Sequence, residues 1–342
     1  MTKMVGPYLI MEFVGKGTSG EVYKALNQKT KSIVAAKRIP KTIANLQGMQ
    51  KYISGEVSLL KKLRRNNIIK LEATIETQNS FYIFLEFCNG GSLSQCLTKF
   101  KRTYGFPFTE KIVQHIMRKI VDAMCYLHRN KIVHRDLKLE NILVNFNSEV
   151  DRQNLSMLKC DIKIVDFGYS VDLNHTYQNL AQTALGTPLY MAPTILRKLR
   201  GYEPFKGYDE KIDIWSMGVL CYELLVGERL FKGTTENELL KLVEKGAYTF
   251  PINLSNEAIS FISSMLQYDC KIRATAEQLS KHDFLNKSVE QFTKIDLNKH
   301  LNEITDKGLN MNIKHNFYKT YNSFPSDEFS SKFAIDNVYA NQ

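Results

Sequence analysis

In the amino-terminal part of the chain, apolar and polar positions alternate with the period of strands; further on they recur at the three and four spacing of helices. Residues 8–14 are apolar and β-prone, and Glu21-Val22-Tyr23-Lys24-Ala25 alternates as a second strand. After a turn over Asn27–Lys31, Ile33-Val34-Ala35-Ala36-Lys37 makes a third. Two more strands fit Ile68–Glu76 and Phe81–Phe87, joined by a Gln78-Asn79-Ser80 turn. Between the third and fourth strands, Glu56, Leu59, Leu60 and Leu63 recur at helical spacing. Lys61, Lys62, Arg64 and Arg65 close that helix, where cations suit the negative end of its dipole. Leu60, one turn after Glu56, should face inward.

Asn89-Gly90-Gly91-Ser92 then breaks the pattern, as a hinge between lobes would, and Leu93–Arg102 reads as a short helix. Thr109 is placed to cap a long one, whose Ile112, Ile116, Ile120, Met124 and Leu127 share a face and belong to a core. A short strand fits Leu143-Val144, residues 145–160 form a polar insertion, and Ile162-Lys163-Ile164-Val165 is another strand. From Tyr169 to Leu185 the chain is polar and irregular. Asp213-Ile214-Trp215-Ser216-Met217-Gly218 opens a helix to Val226 that is apolar on every side and stops at Gly227. Such a helix belongs at the centre of a helical lobe, and Asp213 is expected to accept backbone amides at its start, as an N-cap does. Helices also fit Leu239–Lys245 and Ile259–Leu266, Arg273 follows near Ala274 to Leu279, and the compact part closes around His282-Asp283-Phe284-Leu285.

Composition narrows the picture. With 342 residues, 44% of them apolar, the chain can bury one large core or two lobes. No stretch approaches the roughly 18 apolar residues of a membrane span, and Met1-Thr2-Lys3-Met4 resembles neither a signal peptide nor a myristoylation start. Six scattered cysteines with no Cys-x-x-Cys pair suit reduced thiols in the cytoplasm or nucleus rather than a disulfide framework or a zinc site. The net charge of +11 raises the question of nucleic acid. Residues 286–342 hold seven Lys and seven Asp or Glu, so the excess lies in residues 1–285, in local groups such as Arg197, Lys198 and Arg200. These read as solvated helix ends and loops, or as docking points for phosphates or acidic partners, and no nucleic-acid partner is expected.

Three stretches carry chemistry. Gly15-Lys16-Gly17-Thr18-Ser19-Gly20 alone is weak evidence, because dinucleotide-binding folds use the same spacing at a strand-to-helix turn. Here strands flank it on both sides, so it reads as a hairpin whose amides close over phosphates. Lys37 ends an apolar strand, either as an edge lysine snorkelling to water or as a phosphate ligand positioned by an acid, for which Glu56 is the candidate. Ile132–Asn141 places an acid, a base and an amide in one loop, and Asp166-Phe167-Gly168 adds a second acid before a flexible residue. Together these suggest a metal-and-phosphate site with a proton acceptor beside it.

Taken in order, the glycine loop, Val34-Ala35-Ala36-Lys37, Glu56, His134-Arg135-Asp136 through Asn141, Asp166-Phe167-Gly168 and Asp213-x-Trp215-x-x-Gly218 resemble a eukaryotic serine/threonine protein kinase over residues 8–285. The resemblance implies an α+β, bilobal fold: a small β-rich lobe with one main helix (1–87), a larger mostly helical lobe (88–285), and a tail (286–342) without counterpart in the family. It implies ATP with Mg2+, or Mn2+ in its place. Val14, Gly15, Gly17, Gly20, Val22, Ala35 and Leu143 would surround the nucleotide, and the backbone of Glu86 to Cys88 would meet adenine. Leu85 would stand at the back of that pocket. Lys37, paired with Glu56, would hold the α- and β-phosphates, and Asn141 and Asp166 the metal ions. Asp136 would orient the attacking hydroxyl, and Lys138 would steady the transferring phosphoryl group. Leu60, Leu71, His134 and Phe167 would form the apolar stack coupling the lobes.

Lys138 and Thr187 resemble the serine/threonine type rather than the tyrosine type. Arg135 beside Asp136 resembles kinases switched on by activation-loop phosphorylation, with Thr183 the candidate site, whether modified by an upstream kinase or by the enzyme itself; the alternative is a solvated loop threonine. The family follows Ala-Pro with Glu where this chain has Thr194, which leaves Arg273 either to another acid such as Glu203 or beside a looser substrate loop. Glu140 and Glu223 match positions that read basic residues in some kinases. The hinge and Asp213-Ile214-Trp215-Ser216 resemble the calcium/calmodulin-dependent and autophagy-initiating groups. The tail's aromatic residues suit docking on the kinase or on a partner, and its zero net charge speaks against a calmodulin-binding helix. Against protein phosphorylation stand two other readings, a nucleotide-binding scaffold without transfer activity and an interaction protein whose functional part is the tail.

Overall fold

The computed structural model describes residues 3–17, 20–46, 49–175, 186–199, 201, 208–246, 248–251 and 253–291. Strands β1 (Lys3–Val5), β2 (Tyr8–Lys16), β3 (Glu21–Asn27), β4 (Ile33–Pro40), β5 (Leu71–Glu76) and β6 (Ser80–Glu86) form one antiparallel sheet in the order β1-β2-β3-β4-β6-β5. The first strand extends the expected set by one. Its register sorts the side chains: Val22 lies opposite Lys37, which lies opposite Ile83, and Ala35 lies opposite Leu85. Because side chains alternate along a strand, Val22, Ala35, Lys37, Ile83 and Leu85 share one face. The other face carries its own small core, in which Tyr8 stacks on Phe84.

After a short turn of helix, α1 (Lys41–Ala44), helix α2 (Met49–Lys62) lies on the lysine face of the sheet and begins well before Glu56. The fifth strand starts at Leu71 rather than Ile68. Residues 67–69 are held by the other lobe instead: Ile69 N donates to Ile164 O, and Ile164 N to Asn67 O. Leu59, Leu60, Leu63, Ile68 and Ile69 accordingly belong to the core of the helical lobe.

That lobe is built from α3 (Leu93–Tyr104), α4 (Glu110–Arg129), α5 (Glu149–Gln153), α6 (Pro193–Leu199), α7 (Lys211–Val226), α8 (Glu236–Glu244), α9 (Asn256–Met265), α10 (Ala276–Ser280) and α11 (Asp283–Asn286). Thr109 caps α4 as its sequence predicts, and Gly227, left-handed at φ 73°, ends α7. Two short ribbons complete it: β7 (Ile132–Val133) with β10 (Val171–Asp172), and β8 (Ile142–Phe146) with β9 (Cys160–Ile164). The hinge stretch is stitched to β8, with Gly90 N donating to Val144 O and Val144 N to Gly91 O, and Ser92 caps α3. The polar insertion contains α5 and buries Leu155 and Met157. Together the curled sheet and the helical lobe make the expected α+β bilobal fold.

One expectation is corrected. Asp213 is not the N-cap of α7; Glu210 stands there and Asp213 lies in the first turn. Its carboxylate reaches across the lobe instead, accepting the amides of His134 at 2.8 Å and Arg135 at 2.9 Å and a hydrogen bond with His128 Nε2 at 3.1 Å. Burial alone would raise its pKa, but these contacts and the nearby His134 outweigh that and hold it below the ordinary carboxylate range.

Candidate active site

Lys37 projects from β4 toward α2, where its Nζ meets both oxygens of Glu56 at 3.1 and 3.0 Å and comes within 3.8 Å of Asp166 Oδ1. Burial would lower the lysine pKa; the charges of Glu56 and Asp166 outweigh it and raise the pKa, so the ammonium stays charged. An edge lysine in water would show none of this.

The glycine loop is a hairpin between β2 and β3, as the flanking pattern requires, with Gly17 N bonded to Gly20 O at 2.8 Å. Its glycines do different work. A Cβ on Gly20 would lie 2.2 Å from Arg38 O, so that position lets β4 approach. Gly15 has open space around it, and a Cβ on Gly17 would meet only Gly20 O, at 3.8 Å, as close passage of a ligand along the loop needs. Val14, before them, is exposed.

Across the cleft, Leu143 on β8 bridges to Ser92 beside the hinge. The Glu86 amide donates to Lys70 O, so of its two backbone groups only the carbonyl can serve a nucleotide there. The Glu86 carboxylate binds Lys163 Nζ at 2.9 Å and the Lys70 amide at 2.7 Å, tying the sheet to β9. Cys88 turns its side chain into the helical core, and burial pushes its thiol pKa up to about 12; only its backbone is suited to adenine.

The loop after β7 centres on Asp136. Its Oδ1 accepts the Thr187 amide at 3.0 Å and the Thr187 hydroxyl at 2.9 Å, and its Oδ2 accepts Lys138 Nζ at 2.7 Å and Asn141 Nδ2 at 3.0 Å. Lys138 Nζ also donates to Thr187 Oγ1 at 2.8 Å. Gly186, at φ 124°, delivers Thr187 to this position, and a Cβ there would meet Arg135 O at 2.7 Å. Asp166 also has a left-handed backbone, φ 64° and ψ 71°, where a non-glycine residue is uncommon. This backbone turns its carboxylate toward Lys37.

His134 is fully buried, bonded through Nε2 to Val165 O at 3.0 Å and set edge-on to Phe167 with ring centroids 5.0 Å apart. Leu60, Leu71 and Phe167 lie in or against the same core. The histidine is therefore structural and takes no part as a base. Arg135 donates to the Tyr169 carbonyl and, at 2.9 Å, to the Tyr208 hydroxyl. Thr183 and Glu203 lie outside the described residues, as does the tail beyond Gln291.

Arg273 answers the question raised by Thr194 in a way the sequence does not suggest. Only 1% exposed, it donates to the carbonyls of Gln267 at 2.9 Å, Lys211 at 2.8 Å and Tyr268 at 3.3 Å, and lies over the Trp215 ring at 5.2 Å. Burial lowers its pKa to about 10, opposed in part by Cys270, Asp209 and Asp269. Among the described residues no carboxylate forms an ion pair with it.

The donor set fits a nucleotide with a hard divalent cation: a carboxylate and an amide oxygen for the metal, a charged lysine for phosphate oxygens, and an open glycine hairpin. Asp136, Lys138, Asn141, Lys37, Glu56 and Asp166 are all brought to one cleft. Sequence reasoning missed the role of Asp213; an acid within an otherwise apolar helix was the signal for it.

The chain matches the protein kinase domain over residues 8–285. It is 32% identical over 282 residues to Serine/threonine-protein kinase 33 of Bos taurus, covering 81% of this chain and 55% of that protein. It is 37% identical over 279 residues to Calcium-dependent protein kinase 5 of Plasmodium falciparum, covering 80% and 44%. With the MAP kinase kinase kinase mkh1 of Schizosaccharomyces pombe it shares 33% over 302 residues, 84% of this chain and 25% of that one. The match thus spans about half or less of each relative. Site geometry and kinship agree: the chain belongs to the eukaryotic protein kinase family, and to its serine/threonine type.

Proposed function

We propose that the protein transfers the γ-phosphoryl group of ATP to serine and threonine hydroxyls of protein substrates. The observation that carries this reading is the closed set of bonds around Asp136, in which Lys138 and Thr187 fix one carboxylate from both sides. Held so, Asp136 orients the acceptor hydroxyl and takes its proton. Lys138, within reach of the same hydroxyl, balances charge on the oxygens in flight. Lys37, held by Glu56, positions the phosphates, and Asn141 and Asp166 are the residues that would supply oxygens to a bound Mg2+. Bound ATP with its metal supplies the phosphoryl group and neutralises the charge that develops on it.

Two finer points rest on the same site. Glu140 and Glu223 are the proposed readers of basic residues near the acceptor. Burial raises the Glu223 pKa; the Tyr190 hydroxyl, hydrogen-bonded to it, pulls the other way, and Glu140 adds to the rise. Arg229 and Lys101 offset part of that rise, and a cationic side chain of the substrate would add to the offset. Phosphorylation of Thr183, by an upstream kinase or in trans, is the proposed switch, with Arg135 exchanging its Tyr208 contact for the phosphate. The free cysteines, five of them buried, support a reducing compartment, the cytoplasm or nucleus.

Label transfer from ATP to a peptide library, with wild type and Asp166→Ala compared, tests the reading. Transfer by wild type alone is expected; no transfer by wild type would sink it. Enrichment of peptides lacking basic residues would remove the Glu140–Glu223 assignment.

A further inference from the structure

Helix α2 packs on the turn Phe167–Tyr169 that follows Asp166. Tyr52, Glu56 and Leu60 are spaced four apart, so successive turns of α2 carry them on one side. The ring of Tyr52 stands edge-on to that of Tyr169, with centroids 5.9 Å apart and planes at 85°. A Cβ on Gly168 would lie 4.0 Å from Glu56 Oε2, so the turn passes close beside that carboxylate. Leu60 and Phe167 are buried in the same core. Glu56 serves Lys37 and Leu60 serves the core; the Tyr52 contact has no such task assigned.

The two rings belong to different lobes. Tyr52 rides on α2, which packs on the sheet through Ile53 and Val57. Tyr169 is anchored from the helical lobe: its carbonyl accepts from Arg135 Nε, and the Ser170 hydroxyl beside it donates to His134 O at 3.3 Å. At its carboxyl end α2 is held to that lobe by Leu59, Leu60 and Leu63, which join its core. Among the described residues, the half of α2 before Glu56 sends no side chain into that core. Its tie to the helical lobe is the Tyr52–Tyr169 contact, one helical turn from the carboxylate that grips Lys37. Both tyrosines are half-buried, and neither hydroxyl has a hydrogen-bond partner among the described residues, so ring packing makes the contact.

We infer that Tyr52 is a positioning residue for phosphoryl transfer: its ring, leaning on Tyr169, fixes the leading half of α2 and keeps Glu56 on Lys37. It acts through Glu56, whose oxygens lie 3.1 and 3.0 Å from Lys37 Nζ, a geometry that a small swing of the helix would open. The inference deepens the proposed function and rests on it for its kinetic part; the hold on α2 is a property of the fold.

Tyr52→Ala in the full chain removes the ring, and alanine at a half-buried helical site keeps the helix. Its kcat/KM for ATP should fall roughly three- to ten-fold, the range that an edge-to-face pair can supply. Tyr52→Phe should stay at the wild-type value; a loss as large as that of Tyr52→Ala would show that the ring is not what matters and overturn the inference. In a Glu56→Gln background, Tyr52→Ala should cost nothing further, because the pair it serves is already broken. An equal loss in both backgrounds would make Tyr52 a general structural residue and overturn the inference as well. Amide hydrogen exchange reads the contact without activity: the amides of Ile53–Glu56 should exchange faster in Tyr52→Ala and not in Tyr52→Phe. Unchanged exchange in Tyr52→Ala would overturn it too. Should wild type transfer no phosphoryl group, the kinase reading fails by itself, and the exchange result still decides whether Tyr52 holds α2.

Discussion

Thr187 grips Asp136 twice, its amide at 3.0 Å and its hydroxyl at 2.9 Å from the same carboxylate oxygen. The amide contact survives any substitution at 187 except proline; the hydroxyl contact, and the acceptor it offers Lys138 at 2.8 Å, need a hydroxyl side chain. Thr187→Val keeps the shape and removes only the hydroxyl. Its kcat on a peptide substrate should fall on the order of 10- to 100-fold, in the range of lost positioning contacts in proton transfer. KM for ATP and the melting temperature should hardly move. A comparable loss of ATP affinity would show that Thr187 supports the nucleotide rather than the acceptor side.

Lys37 and Glu56 form a largely buried pair, with side chains 14% and 5% exposed. Breaking it from one side leaves a charge without its partner, which costs about 3–5 kcal/mol where burial is complete and less here because Lys37 stays partly wet and near Asp166. Lys37→Met should therefore lower the melting temperature measurably. The double variant Lys37→Met with Glu56→Leu should recover part of that loss and none of the activity. Recovery of activity together with stability would contradict the phosphate-binding role.

Asp213 gives a pH dependence with a defined sign. Its folded-state pKa lies below the ordinary carboxylate value. Its stabilisation is therefore fully present above the unfolded-state pKa, roughly 3.9, and is lost as pH falls through the lower folded value. Acid unfolding followed by circular dichroism should show that Asp213→Asn is less stable than wild type at neutral pH. The gap between the two should narrow as the pH drops below about 4. A gap constant down to pH about 2 would mean that the contacts to His134 and Arg135 do not depend on the charge.

The sequence made some of this legible and not the rest, for a physical reason. The strands around Val22 and Lys37 were readable because alternation is local, and the helix stripe of α4 because its period is local too; that Val22 shares a face with Ala35 and Lys37 depends on the register between β3 and β4. Glu56 is the acid the sequence offers Lys37, and in the structure its carboxylate lies 3.0 Å from the lysine Nζ. Asp213 shows the limit. The N-cap assignment used only its neighbours, whereas its real partners lie 79 and 78 residues away in the loop after β7. Ile68 reads as a strand residue by propensity, yet the pull of the helical core and a bridge to Ile164 take it out of the sheet. The carbonyl cage of Arg273 left no trace in residue types, because backbone oxygens are present at every position.

That cage leads to the remaining prediction. Three carbonyls, of Gln267, Lys211 and Tyr268, point at one planar guanidinium that also lies on the Trp215 ring. Lysine at 273 would keep the charge but could neither span the three acceptors in a plane nor stack on the indole. Arg273→Lys should thus destabilise the domain by about 2–3 kcal/mol, the cost of buried acceptors left without donors, read as a lower melting temperature with KM for ATP unchanged. The carbonyls accept from each of the three guanidinium nitrogens but carry no charge, and Asp209 and Asp269 offset only part of the burial that lowers its pKa to about 10. Thr194→Glu restores the acid that the family carries after Ala-Pro. It should raise the melting temperature in the Arg273 background and have no such effect with Arg273→Lys. Equal effects in both backgrounds would show that position 194 acts through the substrate loop alone and that the carbonyl cage is sufficient.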